Sequence, residues 1–93
     1  MCNEVYKVFN TQRGSVSFNV YPQHNTTQLM RMPSLKRRRA VKKSFNITIP
    51  HSDSIDLVAH TGISVRELKL CFDLNNLIKS GKLMVLECTE RAA

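Results

Sequence analysis

The chain of 93 residues contains no tryptophan, and it has only three glycines, three prolines and three cysteines. Because aromatic residues are few, the chain has too few large side chains for a large single core. Small domains of this kind often bury additional apolar surface by oligomerising. We therefore expect a homodimer. The cysteines are odd in number and have no CxxC spacing, so they indicate neither a metal site nor a disulfide framework.

Signatures of a membrane protein and of an enzyme are also missing. No apolar run approaches the roughly 18 residues of a membrane span, so we expect a cytoplasmic protein, or a nuclear one in a eukaryotic host. The sequence has no Gly-rich phosphate loop, no paired catalytic carboxylates and no nucleophile beside a base. His24, His51 and His60 lack the spacing of metal ligands. We expect no enzymatic activity, no cofactor and no metal.

Positive charge, by contrast, is abundant and concentrated. Fourteen Lys and Arg against seven Asp and Glu give a net charge of +7. The rest of the chain is neutral, because seven basic residues and no acid fall in one segment: Arg31, Lys36, Arg37, Arg38, Arg39, Lys42 and Lys43. Charge confined in this way indicates a local patch or arm for a polyanion, most often nucleic acid.

The N-terminal region has the pattern of a β-hairpin. Val, Tyr and Phe are frequent in residues 4–10, and apolar and polar residues alternate over residues 15–21. Gly14 permits a tight turn between them, and Pro22 ends the second strand. We assign residues 1–22 to this hairpin. The following residues 23–43 are polar and then basic around a proline, which is typical of a linker or arm. Within them, residues 37–43 are compatible with either a helical turn or a mobile arm, and the sequence does not decide between the two.

Residues 44–88 are predicted to form a strand–helix–helix–strand core, which makes the fold class α+β. Alternation predicts the first strand over residues 44–49, and Ser52 or Asp53 is placed to cap a short helix that ends before Gly62.

A second helix is predicted from Ser64 to about Lys79. Ser64 and Glu67 have the spacing of a capping box, which satisfies free amides at a helix start. A last strand over residues 83–86 and a frayed tail over residues 89–93 complete the chain.

The order of these elements resembles a ribbon-helix-helix DNA-binding unit. Residues 44–50 (SFNITIP) resemble the strand of Arc- and MetJ-type repressors, and residues 61–68 (TGISVREL) are similar to the turn before that family's second helix. The resemblance covers residues 43–79. It implies that two chains pair their strands into an antiparallel ribbon that lies in the major groove of DNA.

The resemblance also implies roles for particular residues. The polar face of the ribbon would contact bases through Ser44, Asn46 and Thr48. Phosphates would be held by backbone amides near Ser64 and Val65 and by the basic segment before the ribbon. The basic residues assigned to phosphate contact are Lys36, Arg37, Arg38, Arg39, Lys42 and Lys43.

The sequence thus predicts a small sequence-specific transcriptional regulator of phage or plasmid type that binds double-stranded DNA. A helix-turn-helix also fits residues 57–71 loosely, with residues 83–86 as the start of a wing. The alternative function is an inhibitor or antirepressor that docks on a regulatory protein or polymerase through the edge of the N-terminal hairpin. Pairing of the hairpin, residues 5–21, with residues 44–49 in one mixed sheet would rule out the ribbon-helix-helix unit and favour this alternative, because the ribbon would then be unable to enter a groove.

Overall fold

The computed structural model describes residues 4–22, residue 24 and residues 26–90, and within them it shows an α+β protein. The strands are β1 (Val5–Asn10), β2 (Val16–Val20), β3 (Phe45–Ile49), β4 (Ser54–Asp56) and β5 (Leu83–Thr89). The helices are α1 (Thr26–Arg31), α2 (Ser34–Lys42), α3 (Leu57–Thr61), α4 (Val65–Leu68) and α5 (Phe72–Lys79).

The strands form two small antiparallel sheets. In the first, β1 lies between β4 and β5, so Val8 faces Ile55 on one side and Val85 on the other. In the second, β2 pairs with β3, and Phe18 faces Ile47. The two N-terminal strands and the turn between them form as predicted. They do not pair with each other, however, because the turn carries the chain from one sheet to the other.

Asn10 holds the two sheets together at this turn. Its side-chain nitrogen donates to the carbonyl oxygens of Gly14 at 2.8 Å, Ile49 at 3.0 Å and Pro50 at 3.1 Å. Its side-chain oxygen accepts from the Gln12 amide at 2.8 Å. Asn10 is fully buried, and a buried amide is tolerated only when its polar atoms are hydrogen-bonded in this way. The end of β1 is therefore tied to the end of β3.

The core lies where the inner faces of the sheets meet the last three helices. Ile47 and Ile49 project from β3 into the same cluster as Val8 from β1. Burial of these side chains is the main favourable term in the folding of a domain this small. The helices and β5 contribute the other members of this cluster that are at most 1 % exposed: Leu57, Val65, Leu68, Leu74 and Leu83.

The helix predicted from Ser64 to Lys79 is two helices. After Leu68 the chain turns, and Cys71 is extended (φ −74°, ψ 113°) before α5 begins. A continuous helix would spread its apolar residues over more than one face, whereas the break directs both Leu68 and Leu74 into the core. The Asn75 side chain donates to the Lys69 carbonyl at 2.9 Å, which satisfies a group left open by the break.

The short helix begins later than predicted because residues 54–56 form β4 beside β1. Its cap is Asp56, not Ser52 or Asp53, and the Asp56 carboxylate accepts from the amides of Val58 at 3.1 Å and Ala59 at 3.4 Å. The predicted role of Gly62 is confirmed, since it takes the left-handed conformation (φ 71°) at the C-terminal end of α3.

The last strand is longer than predicted, and it runs to Thr89. Thr89 of the predicted tail therefore belongs to β5, and Glu90 forms an exposed ion pair at 3.2 Å with Lys69, the residue that follows α4. Residues 91–93 of the predicted tail lie outside the described residues.

Candidate nucleic-acid interface

The segment 23–43, expected to be a linker or arm, contains the helices α1 and α2. Its residues 37–42 belong to α2, which agrees with the helical one of the two alternatives left open for residues 37–43. Pro33 stands at the N-cap of α2, and at the other end the Ser44 hydroxyl donates to the Val41 carbonyl at 2.7 Å. Lys, Arg, Leu and Ala are all good helix formers. Ala40 is buried and anchors the helix, while Arg39 and Lys42 lie in the last turn, where the helix dipole favours cations.

Arg37 differs from the other basic residues because its side chain is engaged within the protein. Its guanidinium donates to the carbonyl oxygens of Leu29 at 3.1 Å, Met30 at 3.4 Å and Met32 at 3.1 Å. These carbonyls lie at the end of α1, where a helix leaves acceptors without partners. Arg37 therefore joins α1 to α2, and its charge is partly occupied by this structural role.

Five other predicted phosphate-contact residues are exposed cations that have no carboxylate partner among the described residues. Within the described residues the one ion pair joins Lys69 to Glu90, far from α2 in sequence. At about 100° per residue, the five side chains span a face of about 160° around the helix axis. They are Lys36, Arg38, Arg39, Lys42 and Lys43. Like charges this close repel one another, so the face is suited to a polyanionic partner.

A cavity of about 830 Å³ separates α2 from the turn between α3 and α4. Lys36, Arg39 and Lys43 line one wall, and Ser64 and Glu67 line the other. The structure therefore brings Ser64 into the same cavity as three of the basic residues, as a shared phosphate-binding role requires. The Ser64 side chain accepts from the Glu67 amide at 3.3 Å, which confirms this half of the predicted capping box.

Val65, the other residue assigned to the phosphate clamp, has its side chain buried in the core at 0 % exposure. Apolar side chains of Phe45 and Ile63 also line the cavity. The cavity thus combines a cationic wall with an apolar surface, and one carboxylate lies opposite the cations.

The ribbon of β2 and β3 presents a polar outer face. Asn46 faces Asn19, and its amide nitrogen donates to the Asn19 side-chain oxygen at 3.0 Å. Thr48 faces Ser17, and their hydroxyl oxygens lie 3.3 Å apart. Two of the three predicted base-contact residues, Asn46 and Thr48, are therefore exposed on this face. Ser44 is not on it, because it precedes β3 and its hydroxyl closes the end of α2.

Ser17 and Asn19 were not among the predicted site residues. The alternation of residues 15–21 shows that they share the polar face of a strand, but it does not show which strand lies beside them. A shallow groove of about 360 Å³ continues from this face towards α5, where Asp73 and Asn76 line it. The face is therefore rich in amides and hydroxyls, and none of the described residues that line the groove is a cation.

The cationic cavity and the polar ribbon face are two distinct surfaces. Phe45 lines the cavity, whereas Asn46 lies on the outer face, since consecutive residues of a strand point to opposite sides. The partner of β3 is β2 of the same chain, while a ribbon-helix-helix unit uses a second chain. The arrangement also differs from a single mixed sheet, because β1 belongs to the other sheet.

Two ionisable side chains in the core have raised pKa values. Burial raises the pKa of the Cys71 thiol, which donates to the Asn19 carbonyl at 3.6 Å, so this sulfur stays protonated near neutral pH. Burial likewise raises the pKa of Tyr6. Within the described part of the chain, no group of three or more His, Cys, Asp or Glu is arranged to hold a metal ion.

No family model, curated protein or solved structure matches this chain. In the residues that the structure describes, no helix is long and apolar enough to cross a membrane.

Proposed function

We propose that this protein is a small DNA-binding transcriptional regulator that works by occupying double-stranded DNA and carries out no chemistry. The observation that supports the proposal is the cationic face formed by α2 and its C-cap residue Lys43, with five exposed basic side chains besides Arg37 and no carboxylate partner among the described residues. A charge of this density on one helix matches the phosphate backbone, which supplies most of the affinity of a protein for DNA.

In this proposal the ribbon supplies sequence preference. A two-stranded antiparallel ribbon is narrow enough for the major groove, and the β2–β3 ribbon is formed within one chain. Asn46 can pair with both N6 and N7 of adenine, and Thr48 can contact either a polar base edge or a thymine methyl group. To bind a base, Asn46 would give up its hydrogen bond to Asn19. Only a base that offers matching hydrogen bonds would compensate for this loss, so the exchange would discriminate between DNA sequences.

The alternative partner is a regulatory protein or polymerase. Strand addition to the edge of the N-terminal hairpin does not fit the structure at β1, because β4 and β5 occupy both of its edges. Strand addition would then use the open edge of β2, which among the described strands pairs only with β3, and the cationic face of α2 would meet an acidic protein surface. If the protein does not bind DNA, a regulatory protein or polymerase becomes the favoured partner.

The test is fluorescence anisotropy with a pool of duplex DNA at several salt concentrations. The triple variant Arg38→Gln, Arg39→Gln, Lys42→Gln removes three charges from α2 and leaves Arg37 in place. Each phosphate that the protein no longer neutralises lowers the steepness of log K against log salt by about 0.9, so we expect a decrease of about 2 to 3 in this slope.

The matched control is Arg13→Gln, Arg66→Gln, Lys79→Gln, which removes the same charge from exposed positions outside α2. Equal decreases in the two triple variants would contradict a role for α2 and indicate attraction by net charge alone. The double variant Asn46→Ala, Thr48→Ala should keep the salt slope and lose the enrichment of particular sequences from the pool.

A further inference from the structure

The strand β5 is an open, apolar edge of the three-stranded sheet. Three consecutive residues without charge are exposed on it, Met84 at 48 %, Val85 at 37 % and Leu86 at 48 %. Proteins usually shield an edge strand with charges, prolines or a covering segment, because its free backbone groups recruit other strands. Exposure of these apolar side chains along a strand of seven residues indicates that something pairs with it.

The backbone directions show which groups are free on this edge. The Asn10 amide donates to Asp53, towards β4, and the Thr11 amide donates to Lys82, towards β5. In an antiparallel strand, the N–H and C=O groups of successive residues point alternately to the two neighbouring strands. The backbone groups of Phe9 therefore point to β5, and those of Met84, which faces Phe9, point back to β1. By the same alternation, Leu83 and Val85 direct their N–H and C=O groups to the open edge. These groups are donors and acceptors for another strand.

We propose that a second copy of this chain covers the edge, with β5 pairing antiparallel to the partner's β5 about a two-fold axis at Met84. Leu83 then faces the partner's Val85, and both side chains lie on the core side of the sheet. Leu83 and Val85 are the residues whose N–H and C=O groups point to the open edge, so each Leu83–Val85 pair can form backbone hydrogen bonds across the interface. The two three-stranded sheets become one sheet of six strands, and each copy contributes the same surface, as a two-fold interface requires.

Charge complementarity selects this register. A β-bulge at Leu86 shifts the pairing, since Val85 faces Val8 while Glu87 faces Lys7. The bulge places Glu87 opposite the partner's Lys82, and symmetry repeats the pair. An axis at Lys82 would instead bring two lysines together, and an axis at Leu86 would place Glu87 against an apolar valine.

A charge exchange tests the interface by sedimentation velocity. We expect the wild-type protein to sediment as a dimer and both Lys82→Glu and Glu87→Lys to shift it towards monomer. The double exchange should restore the dimer, because the opposite charges meet again. A monomeric wild type, or a double variant no more dimeric than the single variants, would overturn the proposal. No nucleic acid is present, so the result is independent of DNA binding.

Disulfide trapping tests the register in a Cys2→Ser, Cys88→Ser background. Met84→Cys should form a disulfide-linked dimer readily, because the two residues face each other at the axis in a pair without backbone hydrogen bonds. Glu87→Cys is the matched control, since each Glu87 lies opposite the partner's Lys82 and its two copies would stand about four residue spacings, roughly 13 Å, apart at about 3.3 Å per residue. Trapping through residue 87 and not through residue 84 would refute the register.

Discussion

Asn10→Asp replaces the buried amide by a side chain of nearly the same shape that donates no hydrogen bond when ionised. The carbonyl oxygens of Gly14, Ile49 and Pro50, at 2.8 to 3.1 Å, would then face carboxylate oxygens in place of a donor. A hydrogen bond contributes about 1 kcal/mol net, and leaving a buried acceptor unsatisfied costs about 1 to 3 kcal/mol. We expect a loss of about 3 to 5 kcal/mol in the free energy of unfolding at pH 7.

The loss should depend on pH with a definite sign. Burial and the surrounding carbonyl dipoles raise the pKa of the introduced aspartate carboxyl in the folded state. Below the unfolded pKa of about 3.9 the group is protonated in both states, and the variant regains one donor. Above it, stability falls by about 1.4 kcal/mol per pH unit until the folded pKa is reached, because the unfolded state alone releases the proton.

Urea unfolding at pH 4 and pH 7 measures both effects. The matched control is Asn76→Asp, the same chemical change at an exposed position on α5. We expect the control to change stability by less than about 0.5 kcal/mol, as exposed substitutions usually do. If Asn10→Asp were no more destabilising than this control at pH 7, the bonds of Asn10 would not be what joins the two sheets.

Three further substitutions or modifications probe the local geometry. Arg37→Ala should destabilise α1 and α2 by about 1 to 2 kcal/mol, measured by hydrogen exchange, whereas Arg38→Ala should leave their protection unchanged. Gly62→Ala should lower stability in urea by about 1 kcal/mol, since an L side chain is disfavoured at a φ of 71°; an unchanged midpoint would contradict that conformation. In the folded protein Cys88, which is exposed, should react with a thiol reagent, and buried Cys71 should react only on unfolding, as quantified by mass spectrometry.

The charge of the candidate interface could be predicted from the sequence, but its geometry could not. The closely spaced basic residues of α2 make its surface cationic, whatever the position of the helix in the fold. The engagement of Arg37 with carbonyls five to eight residues away depends on the turn at Pro33, which places α1 against α2. The pairing of Asn46 with Asn19 joins residues 27 positions apart, a separation at which periodicity carries no information.

Local signals in the sequence determined the elements that depend on neighbouring residues. Alternation placed β2 and β3, Gly62 marked the end of α3, and Ser64 marked the start of α4. Each of these features depends on backbone conformation or hydrogen bonds within a few residues, so a short stretch of sequence contains its cause.

Tertiary structure alone decided which strands became neighbours and where the long apolar helix broke. The strands β1 and β2 lie in different sheets, and Asn10 ties the end of β1 to carbonyls at the end of β3, far along the chain. The break before α5 arises because Leu68 and Leu74 must both reach one core. Burial and distant hydrogen bonds favour these choices over the hairpin and the continuous helix that local propensity predicts, because they act on residues that meet only after folding.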